Sequence, residues 1–462
     1  MNRYKSLAKN TAIFAIGTFG SKILSFIMVF FYSRAMQTAE FGTLDIIINS
    51  GSLMLPICML GIQNSIIRFG LDNEYKKDDV FTAGIISVFL GLAALALISP
   101  AISQIAELRS YILYLYAFVL MSSLRHVCSY FVRALGLSKL YAADGIFSTF
   151  MTCSLTIIFL LPLKMGIRGY LLAIILADLS SVIFLSLNAK LYKYVKFKDI
   201  SKEITKKMLR FSLPLIPTSL LWWIINVSDR YFVQYMVSAS ANGLYSVAYK
   251  VPTILTLIST IFLDAWQISA VEENSSETRN RFYSNVFKSF QGAIFVISSG
   301  LILFSKFITV ILLDKSYYDS WQFIPFLMLA TVYSCFVVFL GNIYLAEKRS
   351  VSTLLTTLLG AVLNLILNYP LIKLYGPNGA AIATCVSYFA VYAVRAIDIK
   401  WRNRDINLAS FTVFINSGIT LLQVLLMLFE PPYWIAYQLI CLIALIAINN
   451  KMLLEVLKKL KR

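Results

Sequence analysis

The chain has 462 residues, 59% of them apolar and only 14% charged, where soluble domains carry about 25% charged residues. A formal net charge of +18 invites a nucleic-acid partner, but so apolar a composition excludes an ordinary soluble binding protein. Where the charges fall along the chain decides the matter.

Crossing a bilayer core of about 30 Å takes roughly 20 helical residues, and lipid satisfies no free backbone group. About fourteen stretches meet that length, near 11–33, 43–67, 81–101, 111–132, 142–162, 169–189, 211–236, 243–269, 283–312, 322–345, 351–374, 378–399, 408–429 and 433–450. The predicted fold class is an all-α polytopic membrane protein. The first stretch follows a short basic leader. It is too long for a signal-peptide core, carries Lys22 and has no evident small-x-small cleavage site, so it is read as a helix. With the N-terminus taken as cytoplasmic, 29 of the 41 basic residues collect on one face, the segment Arg395–Arg404 among them. Arg34, Arg109, Lys164, Arg168, Lys315 and Lys373 fall on the other, and Lys22, Arg125, Arg230, Lys250, Lys288 and Lys306 within spans. This is the positive-inside pattern of a cell inner-membrane protein with both termini cytoplasmic. Its charge faces anionic membrane lipids, not nucleic acid.

The longest internal polar segment runs from Lys190 to Arg210, and Ile200, Ile204, Met208 and Leu209 share one helical face within it. It reads as an amphipathic helix on the cytoplasmic leaflet, or as an ordinary basic loop. The predicted organisation is a six-helix lobe over 1–190, this linker over 191–210, a second six-helix lobe over 211–400, and two additional spans with a basic cytoplasmic tail over 401–462. The halves echo each other. Glu40-Phe-Gly-Thr-Leu-Asp45 opens the second span and Ala241-Asn-Gly-Leu-Tyr-Ser246 the eighth. Gly166-Ile-Arg-Gly169 precedes the sixth and Gly376-Pro-Asn-Gly379 the twelfth, each followed 21 residues later by Lys190 or Lys400. The glycines suit tight turns that need φ > 0. Six spans per half leave both halves in one orientation, as in parallel-repeat transporters, with a cavity between the lobes.

Ionisable residues inside spans cost roughly 2.5–3.5 kcal/mol each, so they pair, snorkel or face water. Lys288 and Lys306 lie near span ends, where snorkelling accounts for them, and Asp144 and Asp398 are similarly peripheral. Lys22, Arg125, Arg230, Lys250, Asp45, Asp178, Asp229 and Asp264 lie deeper. Pairing accounts for some of these: Asp229 with Lys250, Arg125 with Asp178. A surplus of fixed positive charge in a cavity would instead select anionic headgroups, phosphates above all. Desolvated carboxylates at Asp45, Asp178 or Asp264 could exchange a proton or sodium ion for coupling.

His126 is the single histidine. It excludes a His-based metal cluster and reads as a packing residue or a proton relay. The six cysteines sit singly in different spans and read as small apolar packing residues. No P-loop, dinucleotide fingerprint or H-E-x-x-H motif occurs, so no cofactor, no metal and no catalytic residue is expected. Pro214 and Pro217 break the seventh span near its start, while Pro56, Pro252 and Pro325 lie inside the second, eighth and tenth as kinks or hinges.

These features resemble the oligosaccharidyl-lipid flippases (Wzx-type) of the multidrug/oligosaccharidyl-lipid/polysaccharide exporter superfamily. The resemblance covers the chain to about residue 400. It rests on Glu40-Phe-Gly-Thr-Leu with Leu60-Gly-Ile-Gln-Asn-Ser-Ile-Ile-Arg68, then Ser212-Leu-Pro-Leu-Ile-Pro217, Asp229-Arg230 and Gly243-Leu-Tyr-Ser-Val-Ala-Tyr-Lys250. It implies two six-helix lobes packed as a V, and movement of an undecaprenyl-diphosphate-linked oligosaccharide to the outer leaflet for capsule, O-antigen or exopolysaccharide. It also implies cationic substrate-binding residues at positions matching Lys22, Arg230 and Lys250, to which Arg125 is added, and a polysaccharide polymerase and glycosyltransferases as partners. The last two helices depart from twelve-helix members and are similar to those of lipid II flippases. A cation-coupled multidrug exporter on the same scaffold would be expected to line its cavity with acidic groups. A membrane polymerase would show a long extracellular loop with charged catalytic residues, and every such loop here is short.

Overall fold

A computed structural model describes residues 24, 26–72, 74–97, 99–196, 201–272, 278–408 and 410–460, and all regular structure among them is helical. Among the described residues, twelve helices are long and apolar enough to cross a membrane, and two shorter apolar ones, Phe26–Ala35 and Trp434–Asn450, flank them in sequence. The first predicted span lies mostly outside the described residues. This is a multi-pass all-α membrane protein.

The chain forms two compact units that meet in sequence at Trp223 and Ile224. The first contains α1 (Phe26–Ala35), α2 (Thr38–Cys58), α3 (Ile62–Leu71), α4 (Lys77–Leu97), α5 (Ile112–Ala134), α6 (Ser138–Leu160), α7 (Gly166–Asn188) and α8 (Lys202–Ser212). Helix α9 (Ile216–Met236) begins in the first unit and ends in the second. The second continues with α10 (Ala239–Ala248), α11 (Lys250–Glu272), α12 (Arg279–Leu303), α13 (Ser305–Leu312), α14 (Ile324–Ala346), α15 (Ser350–Tyr375), α16 (Pro377–Arg402), α17 (Ser410–Phe429) and α18 (Trp434–Leu460).

The predicted span 43–67 is two helices, not one. Pro56 lacks the N–H that would close the last turn of α2, and Leu60 and Gly61 then take φ of 51° and 67° before α3 restarts. A Cβ on Gly61 would stand 2.8 Å from the Ser212 carbonyl oxygen. The end of α8 therefore sets the break. Ser65 Oγ donates to the Met208 carbonyl at 2.7 Å and shares a 2.6 Å hydrogen bond with Ser212 Oγ. Met208, on the apolar face of the basic linker, is buried in protein, while Lys202, Lys206 and Lys207 are exposed; Ile200 lies outside the described residues. A Gly61→Ala variant is expected to lose about 1–2 kcal/mol from the left-handed backbone alone, with the Ser212 contact adding to it. A lowered Tm of the purified protein, with α8 more readily cleaved by protease, checks this.

Gly166 and Gly376 adopt φ of 55° and 59°, as their spacing predicts. Their partners serve another purpose: Gly379 is helical, and a Cβ there would sit 2.0 Å from the Leu371 carbonyl oxygen. It allows α16 to turn back closely along α15. Pro214 lies in a 3₁₀ turn, Leu213–Leu215, between α8 and α9. Pro325 stands in the first turn of α14, where its missing N–H costs nothing, and not inside that helix as expected. Pro370, inside α15, is the interior proline of that region.

Two further placements correct the sequence reading. Arg395, grouped with the exposed basic residues, is only 1% exposed. Its guanidinium donates to the Val337 carbonyl at 2.7 Å and to Thr356 and Thr357 hydroxyls at 2.9 and 3.2 Å. Lys306 is held, not snorkelling: it pairs with Glu430 and lies 4.1 Å from the Trp321 ring centre. The hairpin of α17 and α18 docks on α12 through buried amides. Asn416 Nδ2 donates to Gln291 Oε1 at 3.0 Å, and Gln291 Nε2 to Asn449 Oδ1 at 3.3 Å.

Candidate functional site

Besides the Arg395 and Asn416 contacts, each unit holds a buried polar cluster built around aspartate. In the first, α5 presents Ser122 and Arg125 one helical turn apart, and α7 presents Asp178 and Ser181 at the same i, i+3 spacing. Arg125 Nη1 donates to Asp178 Oδ1 at 3.2 Å and Nε to Ser181 Oγ at 3.1 Å. Ser122 Oγ donates to the other Asp178 oxygen. A third helix enters here. Asp144 of α6 accepts from Ser181 Oγ and stands 3.6 Å from Arg125 Nη2. Asp144 is 1% exposed, so it is not the peripheral residue that its place near a predicted span end suggests. Two carboxylates thus share one guanidinium, and the pairing of Arg125 with Asp178 weighed from sequence is present.

In the second unit the cluster centres on Asp229 of α9, fully buried. Tyr245 of α10 donates its hydroxyl to Asp229 Oδ2 at 2.8 Å, and Tyr249, just beyond α10, does so at 2.5 Å. Thr384 of α16 donates to the same oxygen at 3.3 Å. The network continues outward from there. Asn364 Nδ2 donates to Thr384 Oγ1 at 3.1 Å, Ser228 Oγ to Asn364 Oδ1 at 2.8 Å, and Asn368 Nδ2 to the same Asn364 oxygen at 2.9 Å. Three hydroxyl donors thus converge on one Asp229 oxygen in a low-dielectric interior, where each bond is stronger than in water. Beside this network a cavity of about 150 Å³ is lined by Tyr249, Asn226, Thr384 and Tyr388. Among the described residues no three His, Cys, Asp or Glu side chains form a metal cluster. The Asp229, Ser228, Asn364 and Thr384 oxygens are the donor type that suits a hard cation.

The predicted site residues do not form a single group. Arg230, partly buried, lays its guanidinium 4.5 Å from the ring centre of Tyr249, whose next residue, Lys250, opens α11. These two cations therefore neighbour the Asp229 network. Arg125 and Asp178 belong to the cluster in the first unit. Asp45 of α2 is partly buried, its backbone carbonyl accepting from Asn49 Nδ2 at 2.8 Å, and Asp264 of α11 is exposed. Lys22 lies outside the described residues. Sequence reasoning missed Tyr245, Tyr249, Asn364, Asn368 and Thr384. The i, i+4 pairs Tyr245/Tyr249 and Asn364/Asn368 were the available signal, since each places two polar groups on one face of an apolar helix.

The fold is shared with solved transporters. A structure of the lipid II flippase MurJ in an inward closed conformation superposes with a TM-score of 0.73 over 98% of this chain and 100% of that one, at 15% identity. An inward-facing multidrug resistance MATE family transporter of the MOP superfamily superposes with a TM-score of 0.69 over 82% and 94%, also at 15% identity. A MOP superfamily transporter from Pyrococcus furiosus, described as having a binding pocket of reverse polarity, gives 0.59 over 86% and 96% at 14% identity. At these identities the likenesses show a common fold. The chain belongs to the polysaccharide biosynthesis protein family, whose profile matches residues 7–266. An uncharacterized membrane protein of Methanocaldococcus jannaschii is 23% identical over 257 residues, 53% of this chain and 60% of that protein.

Proposed function

We propose that this protein is a flippase that turns an undecaprenyl-diphosphate-linked oligosaccharide repeat unit from the cytoplasmic to the outer leaflet, by alternating access, for capsule, O-antigen or exopolysaccharide synthesis. The observation that carries this reading, within a polysaccharide biosynthesis family, is the pair of membrane-depth cations Arg230 and Lys250 beside a buried polar network. Such charges are costly in lipid unless an anion or a carboxylate uses them. The lipid diphosphate brings about two negative charges, and charge-assisted hydrogen bonds to them are strong in a dry site. Lys22 is assigned the same role. Arg125 is assigned to coupling together with Asp178, because two carboxylates already take up its charge. Asp178 is preferred over Asp45 and Asp264 as the exchanging group because it alone of the three is buried and shares its base.

Two lobes repeated in parallel, 1–190 and 211–400, joined by the 191–210 linker and followed by two further spans, are the organisation this reading uses. A polymerase and glycosyltransferases are its expected partners in the membrane. Lipid II is the alternative substrate, favoured by the superposition on a lipid II flippase along nearly the whole chain. A cation-coupled multidrug exporter on the same scaffold is the other alternative, against which Arg230 and Lys250, neighbours of Tyr249, favour an anionic substrate. Deleting the gene is expected to make lipid-linked repeat units accumulate on the cytoplasmic leaflet, read by their protection from an external glycosidase in spheroplasts. Normal exposure of those units at the outer surface would sink the flippase reading. Rescue of a strain depleted of its lipid II flippase would select the alternative.

A further inference from the structure

A second cavity, of about 260 Å³, opens in the first unit where α2 breaks, and it belongs to neither polar cluster. Pro56 and Met59 supply an apolar floor from the end of α2. Around it stand Gln63 of α3, His126 and Tyr130 of α5, and Ser219 and Trp223 of α9. The aromatic groups are set in place. Trp223 Nε1–H donates to the Asn49 carbonyl at 3.1 Å, and the His126 and Tyr130 rings lie 6.1 Å apart. Gln63 Oε1 is buried with no hydrogen-bond partner, a state that normally costs stability unless a ligand or water completes it.

None of the lining side chains carries a fixed charge, so the cavity suits a neutral ligand and not the diphosphate. A prenyl chain would require an unbroken apolar lining, whereas amide, imidazole, phenol and hydroxyl groups here present donors and acceptors together. A pyranose ring matches that mixture. Its hydroxyls both donate and accept, and its C–H face is apolar enough to lie on an indole or phenol ring. Ligand pockets run from about 300 to 1,000 Å³, so this one admits a single ring and not a chain of sugars. We infer that the Trp223–Tyr130–Gln63 cavity is a docking subsite for one neutral monosaccharide of the lipid-linked glycan. The inference rests on the flippase reading and adds where the sugar is recognised.

Native mass spectrometry of the purified protein tests it with three probes: undecaprenyl diphosphate, and the same lipid carrying one N-acetylglucosamine or one galactose. The wild type is expected to bind at least one glycosylated lipid about tenfold more tightly than the bare one, a difference of about 1.4 kcal/mol. Trp223→Ala and Gln63→Leu are expected to erase that preference while binding the bare lipid as the wild type does, and Trp223→Phe to keep part of it. Unchanged Tm values for Gln63→Leu and Trp223→Phe exclude misfolding as the cause. A wild type without preference, or variants that retain it in full, overturns the subsite while leaving the flippase reading intact. A wild type that binds none of the three lipids overturns the flippase reading and the subsite with it.

Discussion

Replacing Arg125 with leucine is expected to destabilise the first unit by about 3–5 kcal/mol, because it strands two buried carboxylates. Asp144 and Asp178 are 1% and 5% exposed, and Arg125 is the base that contacts both. Adding Asp144→Asn and Asp178→Asn to the Arg125→Leu chain is expected to restore much of the loss, since amides occupy the same volume without charge. Thermal unfolding in detergent distinguishes the cases. A triple variant as unstable as the single one would show that packing, and not charge balance, holds the three helices there. Asp178→Asn alone leaves the Arg125–Asp144 pair in place. It is expected to preserve the fold but uncouple export from the proton or sodium gradient. Export that still follows the gradient would remove Asp178 from coupling.

Arg230→Ala and Lys250→Ala are each expected to reduce export of lipid-linked units about tenfold to a hundredfold, the equivalent of one lost charged hydrogen bond of about 1.5–3 kcal/mol. Arg230→Lys should retain partial activity: it keeps the point charge but loses the planar fork that grips two phosphate oxygens and the stacking on Tyr249. Lys22→Ala, measured separately, extends the test to the first predicted span. The assay is surface polysaccharide at matched membrane levels of each variant. Full complementation by a chain lacking all three cations would show that they are structural and that the diphosphate is held elsewhere.

The two sets of variants also bear on why the sites were only half legible. Arg125 and Asp178 could be paired from sequence because both lie mid-span, where an unpaired charge is too costly. Asp144 reads as peripheral in the sequence. Its place near the start of α6 looks wet in one dimension, yet α5 and α7 cover it in three. The Asp229 network was less visible still, because tyrosine, threonine and asparagine are unremarkable in any one helix and acquire meaning only when four helices converge. Arg395 shows the same effect in reverse. Its neighbours in sequence are exposed bases, but Gly341 leaves room for its guanidinium, which would lie 2.8 Å from a Cβ at that position.

By itself the sequence determined that this is a multi-pass helical membrane protein, roughly where the helices run and which charges are out of place. Those properties follow from segment length and transfer free energy, which are local and additive along the chain. It also marked the turns at Gly166 and Gly376, where only a residue without a side chain adopts the backbone cheaply. The tertiary structure decided what depends on distant segments. It broke the second span at Leu60 and Gly61 against Ser212, divided the misplaced charges between two clusters in different units, and opened a cavity beside Trp223. Each of these arises from contacts between residues that are far apart in sequence, and hydropathy along one helix carries no information about them.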